Sequence, residues 1–269
     1  MNRKDFIKNI SFATFLLTDG GILPAFAEDF SARKTKIRFV VASDGHFGQP
    51  KTDYKDYFET FVKNVNTQHR QQKFDFCVIN GDIIHDDLNF LTTAKSHFDD
   101  LNLPYFVTQG NHDHATPEQW ERVWGVPVNY DYVMGKNAFL FGTTSNAEGK
   151  FLAPDTEWFK AKLEEHKNKK NVFIFIHITP VKWTDYAVDG SEFQALLKQY
   201  KNVRAVFNGH DHDQENVKTQ DGVPYMFSAH FGGNWGTKYR GFRVVELLKD
   251  NTLLTYMMNP ETKINEVTV

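Results

Sequence analysis

Cysteine is nearly absent from this chain, which has 269 residues and one cysteine, Cys77. An intramolecular disulfide is therefore excluded, and so is a zinc site built from several thiolates. Cys77 lies in the apolar run at residues 74–79. We therefore interpret it as a small buried hydrophobic residue and not as a reactive thiol.

A strong excess of one charge is also missing. The chain has 31 Lys and Arg against 34 Asp and Glu, a net charge of −3. This balance predicts no basic surface for nucleic acid, so no nucleic-acid partner is expected. Hydrophobic residues make up 41% of the sequence and include 25 Phe, which is enough for a substantial core in one large domain or two small ones.

The N-terminus has no apolar run long enough to span a bilayer. Its mildly apolar stretch at residues 10–17 follows a basic start and precedes an Ala-Phe-Ala cleavage pattern at residues 25–27. Residues 2–8 resemble a twin-arginine signal with lysine in place of the second arginine. We predict an export signal peptide at 1–27, a single domain at 28–269, a periplasmic or secreted location and no stable membrane insertion. The alternative is an N-terminal amphipathic helix of the fold.

Apolar runs alternate with helical patterns in the first half of the chain. Strands are predicted at 36–42, 74–79 and 105–107, and helices at 54–71 and 91–101 lie between them. This βαβαβ order favours a parallel sheet with right-handed crossovers.

The second half is predicted to be richer in strands. A hairpin at 130–143 is followed by helices at 158–169 and 192–199 and by strands at 171–176 and 203–207. The last part is interpreted as an antiparallel meander with strands at 214–219, 224–229, 242–248 and 252–258. Together the two halves predict two sheets packed face to face with helices outside.

Polar groups that can bind a metal follow five of the predicted strands. In chain order they are Asp44-x-His46, Gly81-Asp82, Gly110-Asn111-His112-Asp113, His177 and Gly209-His210-x-His212. Ligands bind at the carboxyl ends of strands in open α/β sheets. Carboxylate, imidazole and carboxamide groups without a thiolate suit Mn, Fe or Zn. The candidate ligands are too many for one ion with an open position, and their number suits two ions that share a bridging carboxylate.

This ordered series resembles the signature of the calcineurin-like metallophosphoesterase family, and most of all its compact bacterial phosphodiesterase-like branch. The resemblance implies an α/β fold, a four-layer α/β/β/α sandwich of two mixed sheets flanked by helices. It implies a first metal held by Asp44, His46, Asp82 and His212. It implies a second metal held by Asp82 as the bridge, Asn111, His177 and His210.

The same resemblance implies a reaction. Two divalent or trivalent ions (Mn, Fe or Zn) are expected to promote attack of a bridging hydroxide on a small phosphodiester or phosphomonoester, nucleotides included. His112 matches the position that protonates the leaving group. From the sequence itself, Asp113 or Asp75 is expected to orient this imidazole, and Asp113 is the better placed of the two along the chain.

One block departs from the family's pattern. Many relatives continue it as Gly-Asp-x-x-Asp, whereas here His85 takes the last place and Asp86 follows. His85 is either an outer partner of the site or a turn residue. A purple iron–tyrosinate centre is not expected, because no tyrosine follows the bridging Asp82.

Several loop residues near the same strand ends are candidates for substrate contact, and the alternative is that they cap the core. They are His114, Trp183, Tyr186, His230 and Trp235. The alternative function is a non-catalytic metal-binding scaffold of the same fold. Such relatives typically lose ligands or the proton-donating histidine, and here all are present. A nuclease is disfavoured by the charge, and the oligomeric state is left open.

Overall fold

The strands of the described residues form two six-stranded sheets and a separate two-stranded one. The structure, a computed structural model, describes residues 15–18, 21–24, 35–259 and 262–269. The described strands are β1 (Phe15–Thr18), β2 (Gly21–Pro24), β3 (Thr35–Ala42), β4 (Phe76–Asn80), β5 (Tyr105–Thr108), β6 (Tyr130–Met134), β7 (Asn137–Phe141), β8 (Asn171–Phe175), β9 (Val203–Asn208), β10 (Val217–Gln220), β11 (Val223–Phe227), β12 (Phe242–Leu248), β13 (Leu253–Asn259) and β14 (Thr262–Thr268). The described α-helices are α1 (Tyr54–Gln71), α2 (Leu91–Phe98), α3 (Pro117–Trp124), α4 (Thr156–Glu165) and α5 (Ser191–Leu197).

Both large sheets are mixed. The first sheet has the strand order β14-β13-β12-β3-β4-β5, and its β3, β4 and β5 are parallel. The second sheet has the order β10-β11-β9-β8-β7-β6, and its β7, β8, β9 and β11 are parallel. The parallel strands of each sheet end at one edge, so the loops that follow them share that edge.

Side-chain alternation along the strands builds four layers. Phe39 and Val41 of β3 lie in the core between the two sheets, whereas Val40 lies in the core under α1, α2 and α3. On the second sheet Leu140 faces outward and packs with Phe159 of α4 and with residues of α5. The predicted α/β/β/α sandwich is therefore confirmed.

Two antiparallel pairs of the predicted C-terminal meander are confirmed, β10 with β11 and β12 with β13, but the prediction that all four strands form one meander is wrong. Strand β11 pairs in parallel with β9 of the second sheet, whereas β12 pairs antiparallel with β3 of the first. An apolar run in the sequence predicts a buried strand but not the sheet that the strand joins, because the pairing partner lies far away in the chain. Strand β14 was not predicted, because most of its side chains are polar and exposed.

At the N-terminus, β1 and β2 pair antiparallel as a two-stranded sheet of their own. The predicted basic start and the Ala-Phe-Ala pattern at 25–27 lie outside the described residues. The strands at residues 15–18 and 21–24 lie within the predicted segment 1–27, for which the sequence analysis offered an export signal or an N-terminal helix. Among the helices of the described residues, none combines the length and apolar character that crossing a membrane requires.

Candidate metal centre

The predicted ligands converge because the loops after the strands run side by side. The backbone N–H of Asp44 donates to the carbonyl of Gly81 (3.1 Å), and that of His46 donates to the carbonyl of Asp82 (3.0 Å). From the second sheet, the backbone N–H of His210 donates to Asp44 Oδ2 (3.0 Å). These bonds place the centre between the carboxyl edges of the two sheets.

Backbone geometry at the centre is unusual for residues with side chains. Asp44, His46, Asp82 and His210 have φ values of 60°, 49°, 50° and 67°. Left-handed conformations of non-glycine residues are costly and cluster at functional sites. At Gly110 a Cβ atom would lie 2.3 Å from the backbone nitrogen of Asp82. Only glycine therefore lets the loop of Gly110 approach Asp82 so closely.

One cluster of candidate ligands consists of Asp44, His46 and His212, all buried. His212 Nε2 lies 3.2 Å from Asp44 Oδ1 and 3.0 Å from His46 Nε2. His212 Nδ1 lies 3.2 Å from the carbonyl oxygen of Trp235, a contact that directs Nε2 toward the cluster. Two imidazole nitrogens and a carboxylate oxygen at this spacing are suited to a single cation.

The second cluster consists of Asp82, His177 and His210. His177 Nδ1 donates to the carbonyl of Asn80 (2.7 Å), so Nε2 points to Asp82 Oδ2, 3.1 Å away. Among the described residues, Asn111 Oδ1 and His210 Nε2 are buried atoms without a hydrogen-bond partner. Buried polar atoms are rarely left unpaired, so these two indicate a ligand that binds them.

Asp82 connects the two clusters. Its Oδ2 lies 3.1 Å from His177 Nε2 of the second cluster and 3.7 Å from His46 Nε2 of the first. This is the position that a carboxylate shared by two ions requires. The donor set of carboxylate, imidazole and amide groups fits two metal ions.

The charge states of the ligands also suit cations. Burial would raise the pKa of Asp44, but His212 and His177 lower it to about 2, so the carboxylate is ionised. Burial lowers the pKa of His46 to about 3 and that of His210 to about 4, which leaves both rings neutral. Burial opposes protonation of His177 too, but Asp82 and Asp44 raise its pKa to about 10. A bound cation would replace the proton of His177.

His112 lies beside this centre. Its backbone N–H donates to Asp82 Oδ1 (2.9 Å), and its Nδ1 lies 2.6 Å from Asp86 Oδ1. Burial lowers its pKa, but Asp82 and Asp86 outweigh burial and the net shift is upward. His112 therefore favours the protonated form that a general acid needs.

The carboxylate that contacts the ring of His112 belongs to Asp86. The sequence analysis expected Asp113 in this role, and that expectation is wrong. Asp113 is buried, and its carboxylate accepts backbone N–H bonds from Ile83 (2.8 Å), Ile84 (3.1 Å) and Gly110 (2.7 Å). Its side chain thus ties two loops of the centre together. Neighbours in sequence project differently here because the loop turns between them.

His85 is an outer partner of the site, which was one of the two alternatives. Its Nδ1 lies 3.1 Å from His46 Nδ1, and its ring stacks on that of His112 with centroids 4.9 Å apart. His114 also belongs to this side: its Nε2 lies 3.2 Å from Asp86 Oδ1.

The remaining candidates for substrate contact divide into two groups. Tyr186 and Trp235 are exposed beside the ligands, whereas Trp183 packs its edge on Tyr225 with ring centroids 5.4 Å apart. His230 is buried and stacks under the ring of His212 at 5.2 Å. Trp183, which is half-buried, therefore packs on the core, and His230 packs on a ligand.

Sequence reasoning also missed a residue at the centre. Phe151 packs its ring edge-to-face on His210, with centroids 4.7 Å apart. It lies in a loop after β7 with no motif around it. The only sequence signal was its position after a strand of the second sheet.

A four-layer sandwich with two adjoining His and Asp clusters at its sheet edges defines the class of two-metal phosphoesterases. The sequence profile described as calcineurin-like phosphoesterase matches residues 37–214, and the chain belongs to this family. Members bind two metal ions, so the predicted pair of ions is confirmed, and so is a hydrolase that acts on phosphate esters. No curated protein sequence matches the chain significantly.

Solved structures share the fold at low sequence identity. A dimetal phosphatase from Danio rerio superposes with a TM-score of 0.70 at 13% identity, covering 88% of this chain and 99% of that one. The purple acid phosphatase PPD1 from yellow lupin superposes with a TM-score of 0.63 at 14% sequence identity, over 86% of this chain and 53% of that one. GAP50, the anchor in the inner membrane complex of Plasmodium, superposes with a TM-score of 0.63 at 17% sequence identity, over 88% of this chain and 89% of that one. At these identities the likeness shows a common fold.

Proposed function

We propose that this protein hydrolyses small phosphodiesters or phosphomonoesters, nucleotides included, with His112 as the general acid. The observation that carries the proposal is the place of His112. It is bonded through its backbone to Asp82, the carboxylate between the two clusters, and its ring is held by Asp86.

Two metal ions fit the centre. Asp44, His46, Asp82 and His212 would hold the first, and Asp82, Asn111, His177 and His210 the second. When bound, such ions make a water acidic enough to act as hydroxide near neutral pH and withdraw charge from the phosphate. Mn, Fe and Zn all suit these donors.

The role of His112 follows from its contacts. Since Asp86 holds Nδ1, Nε2 is the nitrogen left to carry a proton to the substrate. As the bond between phosphorus and the departing oxygen breaks, His112 donates this proton to the alkoxide. Such a transfer is typically worth ~10²–10⁴-fold in rate, and more for poor leaving groups than for good ones.

The test compares leaving groups. The metal-reconstituted chain, His112→Ala, Asp82→Asn and the control His69→Ala would be assayed on a para-nitrophenyl ester and on an alkyl ester. We expect His112→Ala to lose about 100-fold on the alkyl ester and less than about tenfold on the nitrophenyl ester. Asp82→Asn should lose both activities, and His69→Ala neither.

Two outcomes would contradict the proposal. If wild type and His112→Ala turn over the alkyl ester equally fast, His112 is not the general acid. If the chain binds two metals but hydrolyses none of the esters, the proposed hydrolysis is contradicted and the non-catalytic metal-binding scaffold is favoured.

We also propose that residues 1–27 are an export signal and that the mature chain is periplasmic or secreted. Besides the basic start and the Ala-Phe-Ala pattern, the support is that all strands of the two six-stranded sheets lie after residue 34. Loss of residues 1–27 would leave both sheets intact.

Mass spectrometry of the chain from the periplasmic fraction of an expressing bacterium should find Glu28 at the N-terminus. An intact Met1 confined to the cytoplasmic fraction would contradict export.

A further inference from the structure

Three exposed aromatic side chains lie against the ligand histidines. Phe151, Tyr186 and Trp235 are 43%, 55% and 44% exposed, and they are half of the six large apolar side chains that are exposed among the described residues. We call these three residues the aromatic rim. Exposed apolar surface in one place is uncommon on soluble proteins and marks a binding surface.

The rim borders ligand histidines of both clusters. The rings of Phe151 and Tyr186 meet His210 nearly at right angles, with centroids 4.7 Å and 5.9 Å away. Trp235 stacks on His212 at 4.3 Å and lies 6.4 Å from Tyr186. Apolar rings therefore border the ligand histidines of both candidate ions.

The rim and the general acid come from different sheets. The rim residues follow β7, β8 and β11 of the second sheet, whereas His112 follows β5 of the first. The ring contacts between the two run in sequence from Trp235 to His212, then to His46 (4.9 Å) and then to His112 (4.9 Å). A leaving group beside His112 is therefore separated from the rim by the metal ligands.

We propose, building on the proposed function, that the aromatic rim binds a planar aromatic group on the ester that stays attached to phosphorus. The preferred substrate class is then a phosphodiester with an aryl or nucleoside group. A water oxygen bonds to phosphorus and this water releases one proton to the solvent. The bond between phosphorus and the oxygen beside His112 breaks, His112 donates its proton to that oxygen, and His112 regains a proton from the solvent. The aromatic monoester remains as the product. Stacking on exposed aromatic side chains is the interaction that recognises such groups.

The test varies the retained group and keeps the leaving group constant. Wild type, Tyr186→Ala, Phe151→Ala and the control Val133→Ala would be assayed on four para-nitrophenyl phosphates. Three of them are diesters whose second group on phosphorus is nitrophenyl, thymidine or methyl. The fourth has no second group and is the monoester. Val133 is an exposed residue of β6 next to the Gly135-Lys136 turn, at the far end of the second sheet from the centre. Nitrophenyl and thymidine separate a general aryl preference from a nucleoside preference.

Tyr186→Ala should lower kcat/KM roughly tenfold for the nitrophenyl or thymidine diester, and less than threefold for the methyl diester and the monoester, which gain little from stacking. Phe151→Ala should act in the same direction and Val133→Ala should change nothing. Equal losses on all four esters would overturn the inference, as would no loss on either aromatic diester.

A binding measurement separates this inference from the proposed function. Calorimetry on the metal-reconstituted chain would compare phenylphosphonate with methylphosphonate. Wild type should bind phenylphosphonate more tightly, roughly tenfold, and Tyr186→Ala should remove most of that difference. If the chain hydrolyses no ester but binds phenylphosphonate more tightly than methylphosphonate, the inference about the rim is supported and the proposed function is contradicted. If it hydrolyses the esters but binds both phosphonates equally, only the inference about the rim is contradicted.

Discussion

Asp86 contacts both the backbone and the ring of His112. It has φ of 67°, and its backbone N–H donates to the carbonyl of His112 (3.0 Å) while its carboxylate contacts the same residue's ring. Burial raises the pKa of Asp86, but the contact with His112 outweighs burial and the net shift is downward, so the carboxylate is charged. Asp86 therefore acts as a positioning residue for His112.

Asp86→Asn should test this role, because asparagine tolerates a left-handed backbone but has no charge. We expect kcat on an alkyl ester to fall about tenfold, with KM and the turnover of a para-nitrophenyl ester changed less than threefold. The control Asp87→Asn removes a neighbouring exposed carboxylate that only caps the turn at Leu88–Phe90. A uniform loss on both esters would indicate a structural effect and not a positioning one.

At the scale of elements, the loops after β4 and β5 depend on one buried carboxylate. Asp113 accepts N–H bonds from both loops, at Ile83 and Ile84 on one side and Gly110 on the other. Removing this acceptor would leave buried donors unpaired, and such groups are costly. The residue predicted to orient His112 thus holds Asp82 and Asn111 in register instead.

Asp113→Ala should lower the free energy of unfolding by about 3 kcal/mol, since three buried donors lose their partner. Urea unfolding of the metal-free chain measures this loss, and the bound metal should also fall below two per chain. The control Asp155→Ala removes one N–H acceptor at the exposed start of α4 and should cost much less. Equal losses in the two variants would contradict the coupling of the loops.

At the scale of the whole molecule, the two sheets meet at the ligands. Asp44 and Asp82 follow strands of the first sheet, whereas His177 and His210 follow strands of the second. Ions bound between them would therefore connect the two halves of the sandwich. A ligand that binds only the folded state stabilises it by mass action.

Metal should raise the melting temperature by about 5–10 °C at 100 times its dissociation constant, since the binding term is about 2.7 kcal/mol and a chain of this size gains about 2–4 °C per kcal/mol. Scanning calorimetry with and without a chelator measures the rise. Asp82→Asn should lose most of it, and His69→Gln, outside both clusters, should keep it. An equal rise in Asp82→Asn would show that the ions bind elsewhere.

Much of this protein was readable from its sequence, because the signals are local. Helix α1 was predicted with the observed bounds, since its apolar residues recur at helical spacing over 18 residues. Each predicted ligand lies on the loop that directly follows its own strand, so the sequence places it at the sheet edge. The structure brings six of the seven into the two clusters and leaves the Oδ1 of the seventh, Asn111, unpaired.

Only the tertiary structure decided the rest, because those contacts join residues that no pattern links. The partner of His112 is Asp86, 26 positions away in the chain, and not its neighbour Asp113. Phe151 reaches His210 from a loop without a motif. The sheet that β12 joins depends on its pairing with β3 across the molecule. Local periodicity determines which residues face a core or an edge, and only packing determines what they meet there.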